Sequence, residues 1–474
     1  MKPTSWSVKT SSLMLALALT GCASMGPEAT SMRPLNPTAL QLPAGETAPL
    51  HEAWWQNLGD AQLNQLIDQA IQQSPSLAIA QSRLSLAEAQ VGASRSNLGP
   101  QVDLNASGNR QRYSENSATP MAGSTLNNYT VSINAAWAFD FWGKHRAQVA
   151  AALGTLQAAQ FEVAQARLLL VQNLISQYTQ WQRLNAQIAV ADERINVLND
   201  IQKLLQARVN VGIEAGTALH DNQINVHQLQ LQQHTLRAAA DRTRHALAAL
   251  SGQSAQALNQ FNPSPLNPVI PVNTQSLRAD LLGKRPDIAA QRALLEAASE
   301  RVRSAKAEFY PNVQLTGLAG YNAISTGDLF DSASHIFTVM PAVSLPIFHS
   351  GALRANLAGK RAEYDVAISE YNQSVLNALK EAADALSDWQ HGQSEVAEAQ
   401  LAWISSDKLS KAYQARTQAG LENKLTWLQK QSVSLAQQSA YIDSLATQKL
   451  AWNSLNTAFG GGFNSEHASS RNEQ

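Results

Sequence analysis

Residues 129–140 read Tyr129-Thr130-Val131-Ser132-Ile133-Asn134-Ala135-Ala136-Trp137-Ala138-Phe139-Asp140. The odd-numbered positions from Tyr129 to Phe139 are apolar and the even-numbered ones from Thr130 to Asp140 are polar or small. Side chains alternate across a strand with a period of two, so this stretch is a β-strand with two unlike faces. A partner run lies upstream, where Val102, Leu104 and Ala106 oppose Gln101, Asp103, Asn105 and Ser107. Two more follow downstream. Val313, Leu315, Gly317 and Ala319 oppose Asn312, Gln314 and Thr316, and Phe337, Val339, Val343, Leu345 and Ile347 oppose Thr338, Ser344 and Pro346. With loops near 113–128 and 322–335, the chain carries hairpins at 100–142 and 311–348. About ten residues of such alternation suit a tilted strand with lipid on one side and water on the other. A soluble sandwich would alternate in the same way. Aromatic residues at one end of the hairpins, Phe141, Trp142, Phe309, Tyr310 and Phe348, favour the membrane, where they would form an interfacial girdle.

The hairpins belong to a tandem repeat. Ser74-Pro75-Ser76-Leu77 faces Arg285-Pro286-Asp287-Ile288 at an offset of 211, and Gly99-Pro100 faces Tyr310-Pro311 at the same offset. Farther on the offset is 208: Gly143, Arg146, Trp181, Arg208 and Gly212 match Gly351, Arg354, Trp389, Arg416 and Gly420. The repeats span 60–260 and 277–460, joined by a Pro-rich linker at 261–276. No proline occurs in 121–262 or 347–474, which permits long helices there. Over 143–210 a heptad seam runs through Trp181, Leu184, Ile188, Ala191, Ile195, Leu198, Leu205 and Val209. The second copy repeats it through Trp389, Val396, Ala399, Trp403 and Tyr413 over 351–418. Such a helix reaches roughly 100 Å. Gly212 and Gly420 stand where a helix ends in a left-handed cap, and helices resume over 217–250 and 421–458. Helices at 60–98 and 277–309 complete the two copies.

Composition narrows the function. The 474 residues are 44% hydrophobic and only 15% charged, against about 25% in ordinary soluble proteins. With 35 basic and 36 acidic residues the net charge is -1, which leaves no electrostatic case for nucleic acid. Lys2 and Lys9, the apolar run Leu13–Leu19 and then Leu19-Thr20-Gly21-Cys22 read as a secretory signal, 1–21. Its end resembles a bacterial lipobox, which implies a covalent lipid on Cys22, the one cysteine. Ser24 at the second mature position points to the outer membrane, with 22–59 as a lipidated tether and 461–474 as a tail. No phosphate loop, His-Glu-x-x-His, Gly-x-Ser-x-Gly or paired-Cys motif occurs, so no enzyme, catalytic residue, metal site or cofactor beyond that lipid is expected. His220, His227 and His234 share one helical face, but neighbours about 10 Å apart cannot share an ion. A solvated stripe is expected there.

Four strands cannot close a barrel, and an open edge in hydrocarbon leaves backbone groups unpaired at several kcal/mol each. Three copies would supply twelve strands under cyclic symmetry. The expected fold class is therefore a mixed α and β membrane protein, a tandem-duplicated protomer of a trimeric twelve-strand barrel continuous with a long periplasmic α-helical barrel.

The chain resembles the TolC-type outer-membrane efflux proteins, in their NodT-like lipoprotein branch. The resemblance rests on Ala53-Trp54-Trp55-Gln56, Leu58-Gly59-Asp60, Phe139-Asp140-Phe141-Trp142-Gly143, Lys284-Arg285-Pro286-Asp287-Ile288, Phe309-Tyr310-Pro311, Leu345-Pro346-Ile347-Phe348 and Tyr371-Asn372-Gln373-Ser374-Val375. It implies a homotrimeric passive conduit in the outer-membrane lipid. A periplasmic adaptor and an inner-membrane transporter of RND or MFS type would complete a tripartite pump that expels drugs or other small toxic compounds. By the same resemblance Arg208, Gly212, Ile213, Arg416, Gly420 and Leu421 mark the periplasmic tips that meet the adaptor. Many relatives carry Asp six residues after the tip glycine, and in the second copy another three further on. Here Ala218, Thr426 and Gln429 stand at those entrance positions, with Asp221 the nearest carboxylate, so a strongly acidic gate is not expected. A type I protein-secretion duct and a pore-less periplasmic rod are the alternatives.

Overall fold

The computed structural model describes residues 25, 32–35, 53–116, 118–269 and 285–463. Cys22, most of the tether, the linker from 270, the helix expected over 277–284 and the tail beyond Phe463 lie outside the described residues. The element order is α1 (Ala61–Gln73), α2 (Pro75–Ser96), β1 (Gln101–Arg112), β2 (Thr125–Phe139), α3 (Lys144–Asn210), α4 (Gly216–Leu250), α5 (Pro286–Ala307), β3 (Asn312–Ala323), β4 (His335–Ser344), α6 (Ala352–Gln418) and α7 (Lys424–Ala458).

The repeat is visible in element lengths. α2 and α5 have 22 residues each, β1 and β3 have 12, α3 and α6 have 67, and α4 and α7 have 35. β2 and β4 differ, with 15 and 10 residues. β4 stops at Ser344, short of the expected Ile347, where Pro346 has no N–H to give to a ladder. The helix expected over 60–98 is two helices, broken where Ser74 adopts extended backbone before Pro75.

The chain forms two compact units, and neither is a repeat. The first is built on Leu84–Ala159 and Gln291–Tyr371 with N-terminal residues up to Pro34, and holds the sheet. There Gly154 of α3 lies so close to Ala293 and Ala297 of α5 that a larger side chain would press on α5. The second draws on Leu35–Arg83, Gln160–Ala290 and Asn372–Gln474. Its core is aromatic and aliphatic: Trp54, Leu63, Ile67, Leu174, Ile175, Tyr178 and Leu247 are almost fully buried. Trp54 packs on Trp452, with ring centres 5.3 Å apart, and Trp181 stacks on Phe261 of the linker at 5.9 Å.

In the second unit the long helices form a row, α4–α3–α7–α6. Leu219 of α4, Val190, Val197, Ile201 and Leu205 of α3, and Leu428, Leu435 and Ile442 of α7 make one buried cluster. Polar bonds reinforce it. Asn222 of α4 donates to the Leu198 carbonyl and Gln202 of α3, and Gln187 of α3 donates to the Ser439 carbonyl of α7 at 2.8 Å. On the far side of α7, Tyr441 stacks on Trp403 of α6 at 5.3 Å, and Lys430 lies over the Tyr413 ring. The α3 seam thus departs from the one expected. Trp181, Leu184, Ala191 and Leu205 are buried, but Val190, Val197 and Ile201 take the central positions and Ile188, Ile195 and Leu198 are half-buried. α3 serves two neighbouring helices, so its buried stripe is wider than one heptad seam.

Candidate functional site

The sheet is antiparallel in the order β1-β2-β3-β4. Its register decides what the faces are. Val102 pairs with Ala135, which pairs with Gly317, which pairs with Val339. Leu104, Ile133, Ala319 and Phe337 form the next row, and Trp137, Leu315 and Pro341 another. Partners across a sheet share a face, so these apolar residues of all four strands lie together, while Leu318, Ile336 and Met340 fall on the opposite face. That face is bare: Leu104 is 72% exposed, Phe337 77% and Val343 70%. On the other side Asp103 pairs with Asn134, Asn105 with Ser132 and Ser107 with Thr130, and the Asn322 amide donates to Asn128 and Thr130 at 2.8 and 2.7 Å. β2 and β3 approach closely at Gly320, where any Cβ would collide with the Val131 carbonyl. β1 and β4 each have one partner, leaving two open edges, and Pro341 sits on one of them, as proline in a sheet must.

The girdle aromatics come together in part. Trp142 stacks on Tyr310 at 4.9 Å and donates its indole N–H to the Pro311 carbonyl at 2.8 Å. Phe141 and Phe348 are exposed, whereas Phe309 is half-buried. An indole that bonds at one end and exposes an apolar body suits a boundary between oil and water.

At the tips, Gly212 and Gly420 have φ of 75° and 72°, the left-handed geometry that glycine tolerates. Each turn closes in the same way. Ile213 N–H donates to the Arg208 carbonyl at 2.9 Å, and Leu421 N–H to the Arg416 carbonyl at 2.9 Å. The Arg208 guanidinium pairs with Glu214 at 3.2 Å, while Arg416 is exposed. Ile213 and Leu421 project outward, 68% and 71% exposed. Among the entrance positions, Ala218 packs against the helix-row cluster and Thr426 is held by Asn423, which caps α7 by accepting the Thr426 N–H at 2.8 Å and its hydroxyl at 3.0 Å. Asp221 and Gln429 are exposed. His220, His227 and His234 are exposed as well, and the first two bond Gln223 and Gln230 at 3.1 and 3.2 Å.

Residues 66–253 and 277–461 match the family described as outer membrane efflux protein. The chain belongs to that family. It is 30% identical to the multidrug resistance outer membrane protein MdtP of Shigella flexneri over 468 residues, 94% of each chain. The outer membrane protein VceC of Vibrio cholerae is 31% identical, with a TM-score of 0.78 over 88% of this chain and 100% of that one. The outer-membrane channel OprN is 25% identical, with a TM-score of 0.80 over 92% of this chain and 99% of that one. This efflux protein is an outer-membrane channel component, and its four-stranded, tandem-duplicated protomer is the fold expected from the sequence.

One polar site of the efflux protein escaped the sequence reading. Asp60 caps α1, accepting the N–H groups of Gln62 and Leu63 at 3.1 Å, and also takes the Tyr178 and Ser264 hydroxyls and the Gln182 amide. Lys449 of α7, 4% exposed, donates to Gln182 at 2.9 Å. Burial pulls its ammonium down to about 8, against a smaller opposing pull from Asp60. Burial likewise pushes the Tyr178 phenol up to about 12. Asp60, Ser264 and Lys449 line a cavity of ≈ 390 Å³ together with Asn57, Pro265 and Asn267. One local signal was available: Asp60 stands directly ahead of the amphipathic run Ala61–Ala70, the position of a helix cap.

Proposed function

We propose that three copies of this chain close their sheets into a twelve-stranded barrel and their helix rows into a twelve-helix duct, a passive conduit for drugs or other small toxic compounds and not an enzyme. The carrying observation is the sheet register: one continuous apolar face, an opposite face that is polar on β1 and β2 and mixed on β3 and β4, and two open edges in a single chain. Hydrocarbon accepts the first face, water the second, and only further copies satisfy the edges. The name of MdtP, multidrug resistance outer membrane protein, supports the substrate class. Arg208, Gly212, Ile213, Arg416, Gly420 and Leu421 present the two tips to a periplasmic adaptor, whose apolar side chains would cover Ile213 and Leu421. An inner-membrane transporter of RND or MFS type supplies the energy, and a lipid on Cys22 anchors the tether. The entrance is formed near Ala218, Asp221, Thr426 and Gln429, and its thin acidity predicts weak block by divalent cations.

Reconstitution in planar bilayers tests this reading. Discrete conductance steps from a three-chain species are expected, with millimolar divalent cations reducing them little. A stable monomer that inserts without conductance would refute the conduit. Strong block that Asp221→Ala fails to relieve would refute the account of the entrance.

A further inference from the structure

The row α4–α3–α7–α6 has two ends, and at each end a helix turns a face to solvent. On α4 that face carries His220, Ile224, His227, Leu231, His234, Ala238 and Asp241, at spacings of three and four residues opposite the side packed on α3. Ile224 is 54% exposed and Leu231 69%. On α6 the face turned away from α7 carries His391, Ser394, Glu398, Leu401, Ser405 and Leu409, all exposed, Leu401 at 57%. Bare leucines and an isoleucine in a heptad-like stripe are a packing seam without its partner.

The tip glycines give the two faces a common ruler, because the turns at Gly212 and Gly420 have the same geometry. His234 and Glu398 each stand 22 residues from their glycine, Leu231 and Leu401 each stand 19, and Asp241 and His391 each stand 29. α4 runs away from its tip and α6 runs toward its own. If copies sit side by side with tips level, the two faces meet antiparallel, apolar against apolar and imidazole against carboxylate.

We propose that the outward face of α4 packs on the outward face of α6 of a second copy of this chain, in the register His234–Glu398, Leu231–Leu401 and Asp241–His391, so that two histidine–carboxylate pairs of opposite sense lock the register. This rests on the trimer reading, whose unpaired β1 and β4 edges already demand neighbouring copies. Complementary charge fixes which copies and which heights meet, and a one-turn slip of about 5.4 Å would set Leu231 against a polar position. The charged groups around His234 are Arg237 on its own helix, Asp192 of α3, which bonds Gln233 and Arg237, and Glu395 and Glu398 of the neighbour. Around His391 they are Asp388 and Glu395 of its own helix and, on the neighbour, Asp241, already paired with Arg244 at 3.0 Å, together with Arg237, Arg242 and His245 within about a turn. Carboxylates outnumber guanidiniums around His234, so a proton on that ring tightens the contact.

The test is disulfide trapping in full-length protein in outer membranes. His234→Cys with Glu398→Cys, and separately Leu231→Cys with Leu401→Cys, should link chains into a covalent trimer on oxidation. His234→Cys with Leu409→Cys, on the same face but about 16 Å out of register, should not. A native-mass trimer in which neither matched pair links, or in which the mismatched pair links equally, overturns the proposed seam and leaves the trimer standing. Absence of any multichain species overturns both. As a second readout, the wild-type assembly should resist heat better at pH 6 than at pH 7.5. His234→Gln should lose about half of that gain, and an unchanged gain would remove His234 from the seam.

Discussion

The two halves of this chain agree in backbone and disagree in side-chain chemistry. Pro75 and Pro286 open α2 and α5 at matching points, and Gly143 and Gly351, like Gly212 and Gly420, take positive φ of 78°, 83°, 75° and 72°. The polar groups at the helix starts differ. Before α2 the Ser74 and Ser76 hydroxyls bond each other at 2.9 Å. Before α5 their counterparts are Arg285 and Asp287, paired at 2.7 Å, with Arg285 also bonding Glu381 at 2.7 Å and the Ala458 carbonyl. Asp140 gathers the N–H groups of His145 and Arg146 at the start of α3, where the second copy has Phe348 ahead of α6. A duplicated fold thus keeps the residues that set chain direction, because few alternatives satisfy the dihedrals, and frees the rest to serve different neighbours.

The largest expected difference between the copies is at the starts of α2 and α5. Burial disfavours the Arg285 charge, but bonds to Asp287 and Glu381 outweigh it and hold the guanidinium above its ordinary range. Arg285→Ala should cost about 3 kcal/mol, at the low end for breaking a buried pair because both carboxylates still reach water. Ser74→Ala should cost about 1 kcal/mol. Urea titration of detergent-purified protein reads both, and equal losses would erase the contrast.

Next in size is the pair Lys449 and Asp241, which occupy the same place in α7 and α4. Asp241 is exposed beside Arg244, and Lys449 is buried. A lysine depressed to about 8 in the folded chain binds fewer protons than the unfolded chain between that value and its ordinary 10.5. Stability therefore rises with pH across that window, by roughly 2–3 kcal/mol. Tyr178, raised to about 12, opposes this only above its ordinary 10, as its contribution fades toward 12. Melting curves from pH 7.5 to 10 should show the rise in wild type and a flat profile in Lys449→Met. A rise that survives the substitution would assign it elsewhere.

The same division explains what the sequence could show. The strands were readable because alternation is a local property, and the tips because glycine after a long proline-free helix has one reading. Leu345 and Ile347 keep the strand alternation although β4 ends at Ser344, because Pro346 interrupts the ladder and not the hydrophobic pattern. The α3 seam was half right: Ile188, Ile195 and Leu198 satisfy a heptad, but a helix with neighbours on two sides buries Val190, Val197 and Ile201 instead. Asp60 and Lys449 lie 389 residues apart, and no local pattern announces that they share a polar pocket.

Gly212→Ala and Gly420→Ala sharpen the comparison where the copies are most alike. Neither position has an atom within 4 Å of a new Cβ, so strain at positive φ is the whole cost, about 1–2 kcal/mol in each copy. Equal losses of local protection at the two tips by hydrogen exchange would support a shared backbone constraint. A much larger loss at one tip would mean that side chains, not dihedrals, hold it.

The smallest effect lies one turn beyond, where the copies part again. α7 begins with Asn423, whose side chain accepts the Thr426 N–H, whereas α4 begins after Ala215, which caps nothing. A side-chain cap is worth about 1 kcal/mol, so Asn423→Ala should raise exchange of the first α7 amides roughly five-fold. Ala215→Asn should slow the first α4 amides by a similar factor, because Ala215 already has the extended backbone, φ -77° and ψ 145°, that a capping residue needs. Success of that graft would show that the first copy lacks only a side-chain acceptor at its tip. Failure would mean that the Arg208–Glu214 pair, absent from the second copy, already orders the start of α4.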